Sequence, residues 1–218
     1  MSDTKIYKRI SHEDLPQTLP IFPLSGVLLL PYSFLPLNIF EERYLALIDD
    51  CLKADRMFGM IQPKPQTNNT SLYDVGCAGK IISFSETADG RYLITLDGIC
   101  RFNVKKELDT TTPYRRIQPD WEEYTHDLDH KVALNLNREK LSDLLERYFQ
   151  KEDIQCDWDI ILNADDQRVI SALAMLCPFG ASEKQALLEV SGGQERADLF
   201  MTILEMAVME TNLNDVPY

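Results

Sequence analysis

The stretch AGKIISFSETADGRYLITLDGICRFNV, residues 78–104, decides the fold. Two runs, Ala78 to Glu86 and Arg91 to Asp97, flank Thr87-Ala88-Asp89-Gly90, and Asp-Gly is a favoured pair for a tight hairpin turn. Ile82, Phe84, Tyr92, Ile94 and Leu96 alternate with polar neighbours, which predicts one core face and one wet face. Asp97-Gly98 is read as a bend leading into a further strand, Ile99 to Val104.

Upstream, short apolar runs are punctuated by proline. Leu19 to Leu24 reads as a strand interrupted by Pro20 and Pro23. Proline has no N–H to give a ladder, so this strand is expected at a sheet edge or to end at its prolines. Val27 to Leu30 and Phe34 to Ile39 read as two more strands across the turn Pro31-Tyr32-Ser33. Glu41 to Leu52 has helical spacing, with Tyr44, Leu45, Ile48 and Leu52 on one face and acids in the first turn, where the helix dipole favours them. Phe58 to Ile61 is a short strand ended by Pro63 and Pro65, and Gln66 to Ser71 is a polar loop. Several short strands with one inserted helix predict a small, nearly closed barrel.

Downstream, the period changes from two to 3.6. Asn137 is placed to cap a helix carrying Leu141, Leu144, Leu145, Tyr148 and Phe149. Val169, Ile170, Leu173, Leu176 and Cys177 mark a second helix stopped by Pro178. Ser182 to Gln185 reads as a capping box opening a third helix that ends at Gly192-Gly193, and Leu199, Phe200, Ile203, Leu204, Ala207 and Val208 stripe a last one. The expected class is α+β, a β pseudo-barrel followed by a C-terminal helical bundle. The expected organisation is a tail over 1–17, the barrel over 18–118, an acidic connector over 119–134, the bundle over 135–211 and a tail over 212–218.

The charge balance narrows the partners. A net charge of −13 over 218 residues argues against nucleic acid, whose phosphates require clustered Lys and Arg. The nearest basic patch, Arg101, Lys105, Lys106, Arg115 and Arg116, is offset by Glu107 and Asp109. No apolar run approaches the roughly 20 residues that cross a bilayer, and the N-terminus has no secretory pattern, so the cytoplasm is expected and no membrane partner. Five cysteines with no CxxC pair point to buried thiols rather than disulfides or zinc.

Motifs for chemistry are sparse. The chain contains no GxxxxGK[ST], GxSxG, HExxH or GxGxxG, and the sequence calls for no cofactor. His126 and His130, spaced i, i+4 near Glu122 and Glu123, could share a metal, but the acidic surroundings favour a solvated linker. Ser182 and Lys184 are too close in sequence to face each other as a dyad, and Cys177 sits at a helix C-terminus, where the dipole opposes a thiolate. What remains is recognition: Tyr32, Phe34, Phe40, Met57, Phe58 and Met60 lie near turns and strand ends. Most should be core, while some could line an apolar groove for peptide, with Tyr32, Phe34, Phe40, Met57 and Met60 as the candidate contacts.

These segments carry a resemblance. The run from Leu19 to Tyr44, LPIFPLSGVLLLPYSFLPLNIFEERY, resembles the opening of the Lon protease N-terminal domain. Val75 to Ile82, the Asp89-Gly90-Arg91 turn, Leu96 to Phe102 and the KQALLE run of Lys184 to Glu189 are similar to later segments of that family, in the same order. The resemblance spans about residues 18–211 and implies a PUA-like pseudo-barrel on a helical bundle. It also implies a role in selecting unfolded or tagged polypeptide clients, as a module or adaptor that works with a protease. Self-association stays open. The family's ATPase and Ser–Lys peptidase lie downstream of this domain and have no counterpart here, so recognition without catalysis is expected. A small hydrolase with an unrecognised site and an RNA-binding PUA-like protein are the competing readings.

Overall fold

The computed structural model describes residues 10–65, 71–129, 133–155 and 164–214. Among these, strands β1 (Leu19–Pro23), β2 (Phe34–Ile39), β3 (Met57–Pro63), β4 (Leu72–Glu86), β5 (Tyr92–Leu108) and β6 (Arg116–Asp120) form one sheet in the order β2-β5-β4-β3-β1-β6. The second half of β5 also pairs with β6, from Asn103 opposite Asp120 to Leu108 opposite Arg116. The sheet therefore closes on itself, with β2 attached to the first half of β5, and the result is an irregular pseudo-barrel. Helix α1 (Glu42–Lys53) is inserted before β3, and α2 (Arg138–Lys151), α3 (Asp166–Leu176), α4 (Ala181–Glu189) and α5 (Gly193–Asn214) follow the barrel. The class is α+β, as the patterning predicts.

The hairpin around Thr87 to Gly90 forms, and its arms are longer than expected. β5 runs unbroken through Asp97-Gly98 rather than splitting into two strands. The curvature that the sequence suggested at Gly98 is absorbed instead by register shifts in β4, between Ala78 and Gly79 and between Ile81 and Ser83. The second shift moves Ile81 into the core, leaves Ile82 half-buried and turns Phe84 out, 41% exposed. Strict alternation had placed Ile82 and Phe84 inside. Phe84 instead meets Tyr92 edge-on at 5.0 Å, and the Tyr92 hydroxyl donates to Asp49 at 3.0 Å.

Of the two proline-marked segments, β1 ends at its second proline, Pro23, as one of the two expectations had it, but it is no edge: it lies between β3, parallel at Ile21 to Pro23, and β6, antiparallel at Leu19 and Pro20. Its two neighbours share its length, so each proline needs to serve only one side. Val27 to Leu30 joins no ladder, yet Leu28, Leu29 and Leu30 are buried. The segment packs so tightly on β5 that a Cβ on Gly98 would stand 2.0 Å from the Leu30 carbonyl oxygen.

Inside the barrel, Leu19, Ile21, Phe58, Leu96, Phe102 and Ile117 are wholly buried. Gly59 and Gly76 leave space for the Phe102 ring, which a Cβ would approach to 2.8 and 2.4 Å respectively. Helix α1 buries Tyr44, Leu47, Ile48 and Cys51, a face rotated from the expected one, with Leu45 and Leu52 only partly covered. Phe22 and Tyr44 stack at 4.0 Å to fasten it.

In the bundle, Asn137 caps α2 by accepting the Lys140 N–H at 3.0 Å, as its position predicts. Helix α3 is capped by Asp165, and its Leu176 is 55% exposed rather than core. Ser182 does not cap α4: the helix opens at Gly180, whose N–H donates to the Glu183 carboxylate at 2.7 Å. Gly193 begins α5 rather than merely ending α4. Leu145, Leu187, Phe200 and Leu204 are wholly buried between the helices.

The acidic segment between the halves sends Trp121, Tyr124 and Asp127 into the core while Glu122, Glu123 and Asp129 stay exposed. Residues Glu122–Leu128 form a 3-10 turn against β5, with Tyr124 and Asp127 buried. Asp127 is no solvated linker acid because Arg101 from β5 neutralises it. No helix among the described residues is long and apolar enough to cross a membrane.

Candidate functional site

A concavity lies where the barrel meets the bundle. Its volume is about 620 Å³. One wall is the segment from Gly26 to Pro36, contributing Val27, Leu28, Tyr32, Phe34, Leu35 and Pro36. The facing wall is α3 with Ala164 before it, contributing Val169, Ala172, Leu173, Met175 and Leu176. Leu28, Val169 and Leu173 are buried at its base, while Phe34 and Leu176 stand exposed at its rim. Among the described residues, the charged side chains on its lining are Arg168 and Lys184.

The Gly26 end of the first wall is fixed to β3 and α4 by hydrogen bonds that reach across the fold. Gln62 of β3, 1% exposed, accepts the Gly26 N–H at 3.1 Å and donates through Nε2 to the Ala181 carbonyl and to Gln185 Oε1, each at 3.1 Å. Gln185 Nε2 in turn faces the Val75 carbonyl at 3.2 Å. Lys184 Nζ donates to the Gly26 carbonyl at 3.0 Å. Burial pushes the Lys184 ammonium below its ordinary range.

Tyr32 holds the other end of the wall. Its φ is +65°, in the left-handed region that costs a non-glycine residue of the order of 1 kcal/mol. Its hydroxyl donates to the Asp127 carbonyl at 2.5 Å, and its N–H to the Gly98 carbonyl at 3.2 Å. The Gly98 N–H returns a bond to the Ser33 carbonyl at 2.9 Å. Burial, reinforced by Asp127, raises the phenol well above its usual value, so it stays a donor across the physiological range.

Beneath this site, Arg101 joins the two halves. Its guanidinium pairs with both carboxylate oxygens of Asp127 at 2.8 Å. It also donates to the Leu188 carbonyl at 3.0 Å, to that of Val190, and to that of Ser191 at 3.1 Å, all at the end of α4. The Tyr124 ring lies 4.3 Å from the guanidinium carbon. The five-member basic patch read from the sequence therefore dissolves: Arg101 is wholly buried, and Arg115 pairs with Glu107 at 2.6 Å.

Of the candidate contacts, the structure brings Tyr32 and Phe34 together on the groove. Phe40 is 67% exposed but lies off it, before α1. Met57 and Met60 are buried with Phe58 in strand β3 and lie off this groove, Met57 lining instead a separate concavity beside Tyr114 and Asp50. The α3 wall escaped the sequence reading because its helical spacing marks core, and only the missing burial of Leu176 marks it as groove. His130 lies outside the described residues, and His126 Nε2 sits 3.1 Å from the Arg101 guanidinium, a cation that disfavours a metal beside it. No group of three His, Cys, Asp or Glu among the described residues is placed to hold a metal. Ser182 is exposed and Lys184 is turned to Gly26, so they form no dyad. Cys177 is wholly buried.

Comparison with known proteins gives this architecture relatives. Residues 18–206 match the family described as the ATP-dependent protease La (LON) substrate-binding domain. The chain is 30% identical over 139 residues, 61% of its length, to Lon protease 2 of Myxococcus xanthus, covering 17% of that protein. It is 22% identical over 209 residues, 91% of its length, to Lon protease 2 of Bdellovibrio bacteriovorus, covering 26% of it. It thus spans about a quarter or less of the curated relatives it matches. A Lon N-terminal domain protein from Xanthomonas campestris shares the fold, with a TM-score of 0.60, 24% identity and coverage of 92% of this chain and 99% of that one. So does the N-terminal domain of a Mycobacterium avium complex Lon protease, with a TM-score of 0.59, 16% identity and coverage of 88% and 98%.

Proposed function

Because the chain belongs to the Lon substrate-binding domain family, we propose that its groove receives apolar segments of unfolded or tagged polypeptide clients. The observation that carries this reading is the groove itself, with apolar walls from the Gly26 to Pro36 segment and from α3 and with Phe34 and Leu176 left exposed at its rim. A folded chain that keeps such side chains exposed around a concavity has a use for them in binding. The proposed role is recognition without catalysis, in the cytoplasm, with bound clients passed to a protease.

The test is a titration of a reduced, carboxamidomethylated, fluorescent model protein with the wild-type chain and with Phe34→Asp and Leu176→Asp. Both positions are exposed, so the variants should fold. A charge on the rim should weaken binding by about tenfold or more, since an occupant would desolvate it. Unchanged affinity in both variants would move the client site elsewhere.

A further inference from the structure

We propose that the groove is built for the carboxyl-terminal end of a polypeptide, with the Lys184 ammonium receiving the terminal carboxylate. The proposal rests on the reading that the groove binds polypeptide, and names which part of the polypeptide it takes.

The first observation is charge. The chain carries a net charge of −13, yet among the described residues the charged side chains lining the groove, Arg168 and Lys184, are both cations. The Arg168 side chain makes no ion pair or hydrogen bond with the described residues. An apolar trough with cations set into it suits an occupant that is apolar along its length and negative at one point.

The second observation is the state of Lys184. The residue is 8% exposed, and an ammonium group has three protons to donate. One goes to the Gly26 carbonyl at 3.0 Å, and the other two find no acceptor among the described residues. Lysine is rarely buried unless paired, and here no carboxylate is paired with it. A carboxylate arriving through the groove would supply the missing acceptors as charge-assisted hydrogen bonds. The ammonium is already aimed, because Gln62 fixes Gly26 on the barrel side and Gln185 on the same helix as Lys184.

The third step identifies the anion. Apolar walls select segments poor in Asp and Glu. The negative charge that an apolar segment still carries is its own terminal carboxylate, present on every polypeptide whatever its sequence. An internal acidic side chain offers the same chemistry, so the experiment must separate the two.

The experiment uses an apolar decapeptide with an N-terminal fluorophore in three forms: free acid, C-terminal amide, and amide with one internal Glu. Each is titrated into the whole chain by fluorescence anisotropy. The free acid should bind about tenfold tighter than either amide, the scale of a charge-assisted hydrogen bond. Lys184→Met should bring the ratio of amide to free-acid Kd down to about one, while Lys184→Arg should keep part of the preference. Equal binding of free acid and amide to the wild-type chain would overturn the proposal and leave the groove reading standing. An internal-Glu amide as tight as the free acid would overturn the assignment to the terminus. A free-acid preference that survives in a folded Lys184→Met chain would mean that another group receives the carboxylate, and would overturn it too. Failure of all three peptides to bind the wild-type chain would sink both readings. The free-acid and amide comparison needs no variant, so the proposal stays testable even if Lys184→Met does not fold.

Discussion

Arg101 and Asp127 meet at 2.8 Å through two parallel hydrogen bonds, with Arg101 wholly buried and Asp127 4% exposed. Asp127 Oδ2 also accepts the Arg101 backbone N–H at 3.0 Å. The pair joins a barrel strand to the 3-10 turn that follows β6, and the same guanidinium seals the exposed carbonyls at the end of α4. Isolated surface ion pairs contribute little. A buried pair behaves differently, because removing one partner strands the other in a place with no water.

Arg101→Met should therefore destabilise the chain by about 3–5 kcal/mol, since Asp127 would keep its burial and lose the guanidinium that is hydrogen-bonded to both its oxygens. Urea unfolding followed by circular dichroism measures it. A loss below about 1 kcal/mol would place the pair among ordinary exposed bridges.

Gly98→Ala should cost at least about 1–3 kcal/mol. The added Cβ would meet the Leu30 carbonyl at 2.0 Å, and backbone cannot swing aside as a side-chain tip can. Gly98 also bonds to Tyr32 and Ser33, so client affinity should fall along with stability. A variant with wild-type stability would mean that the Leu28 to Leu30 segment packs loosely on β5.

Thiol chemistry gives a third check. Cys51, Cys77, Cys100 and Cys177 are buried. Burial pushes Cys51 and Cys100 up to about 12, and Cys77 well above its ordinary range, so little thiolate exists at neutral pH. An Ellman titration of the native chain should find at most one fast thiol of the five, and all five in guanidinium. Two or more fast thiols would contradict this packing.

The pH dependence of stability should carry the mark of Lys184. Burial holds its folded-state pKa below the unfolded value, so folding disfavours its charged form. The resulting destabilisation is fully present below the folded pKa and is relieved as pH rises from there to the unfolded value, about 10.4. The stability difference between wild type and Lys184→Met should shift in favour of wild type across that window. A difference independent of pH would mean that the ammonium is well hydrated.

Much of this was legible in the sequence. The Asp89-Gly90 turn and its flanking alternation define the hairpin, and the i, i+3, i+4 spacing from Leu141 to Phe149 defines α2, because both signals are local. What escaped is non-local. Ile81 rather than Ile82 is buried because a bulge shifts the register, and a bulge has no period to betray it. Asp127 reads as one more acid in an acidic run until Arg101, 26 positions earlier in the chain, is folded against it. Of the candidate contacts, Tyr32 and Phe34 reach the groove, whereas Met57 and Met60 do not, since hydrophobicity alone does not separate a rim from a core.

The central claim is that clients lie in the groove between barrel and bundle. The most direct measurement places a photoreactive benzoylphenylalanine at Phe34, Leu176 or Phe40 and irradiates the whole chain with the unfolded fluorescent client. All three positions are exposed, and the first two flank the groove while Phe40 stands off it. Client crosslinks from 34 and 176, with none above background from 40, are the predicted result. Crosslinking from 40 as strong as from the groove positions would contradict the account.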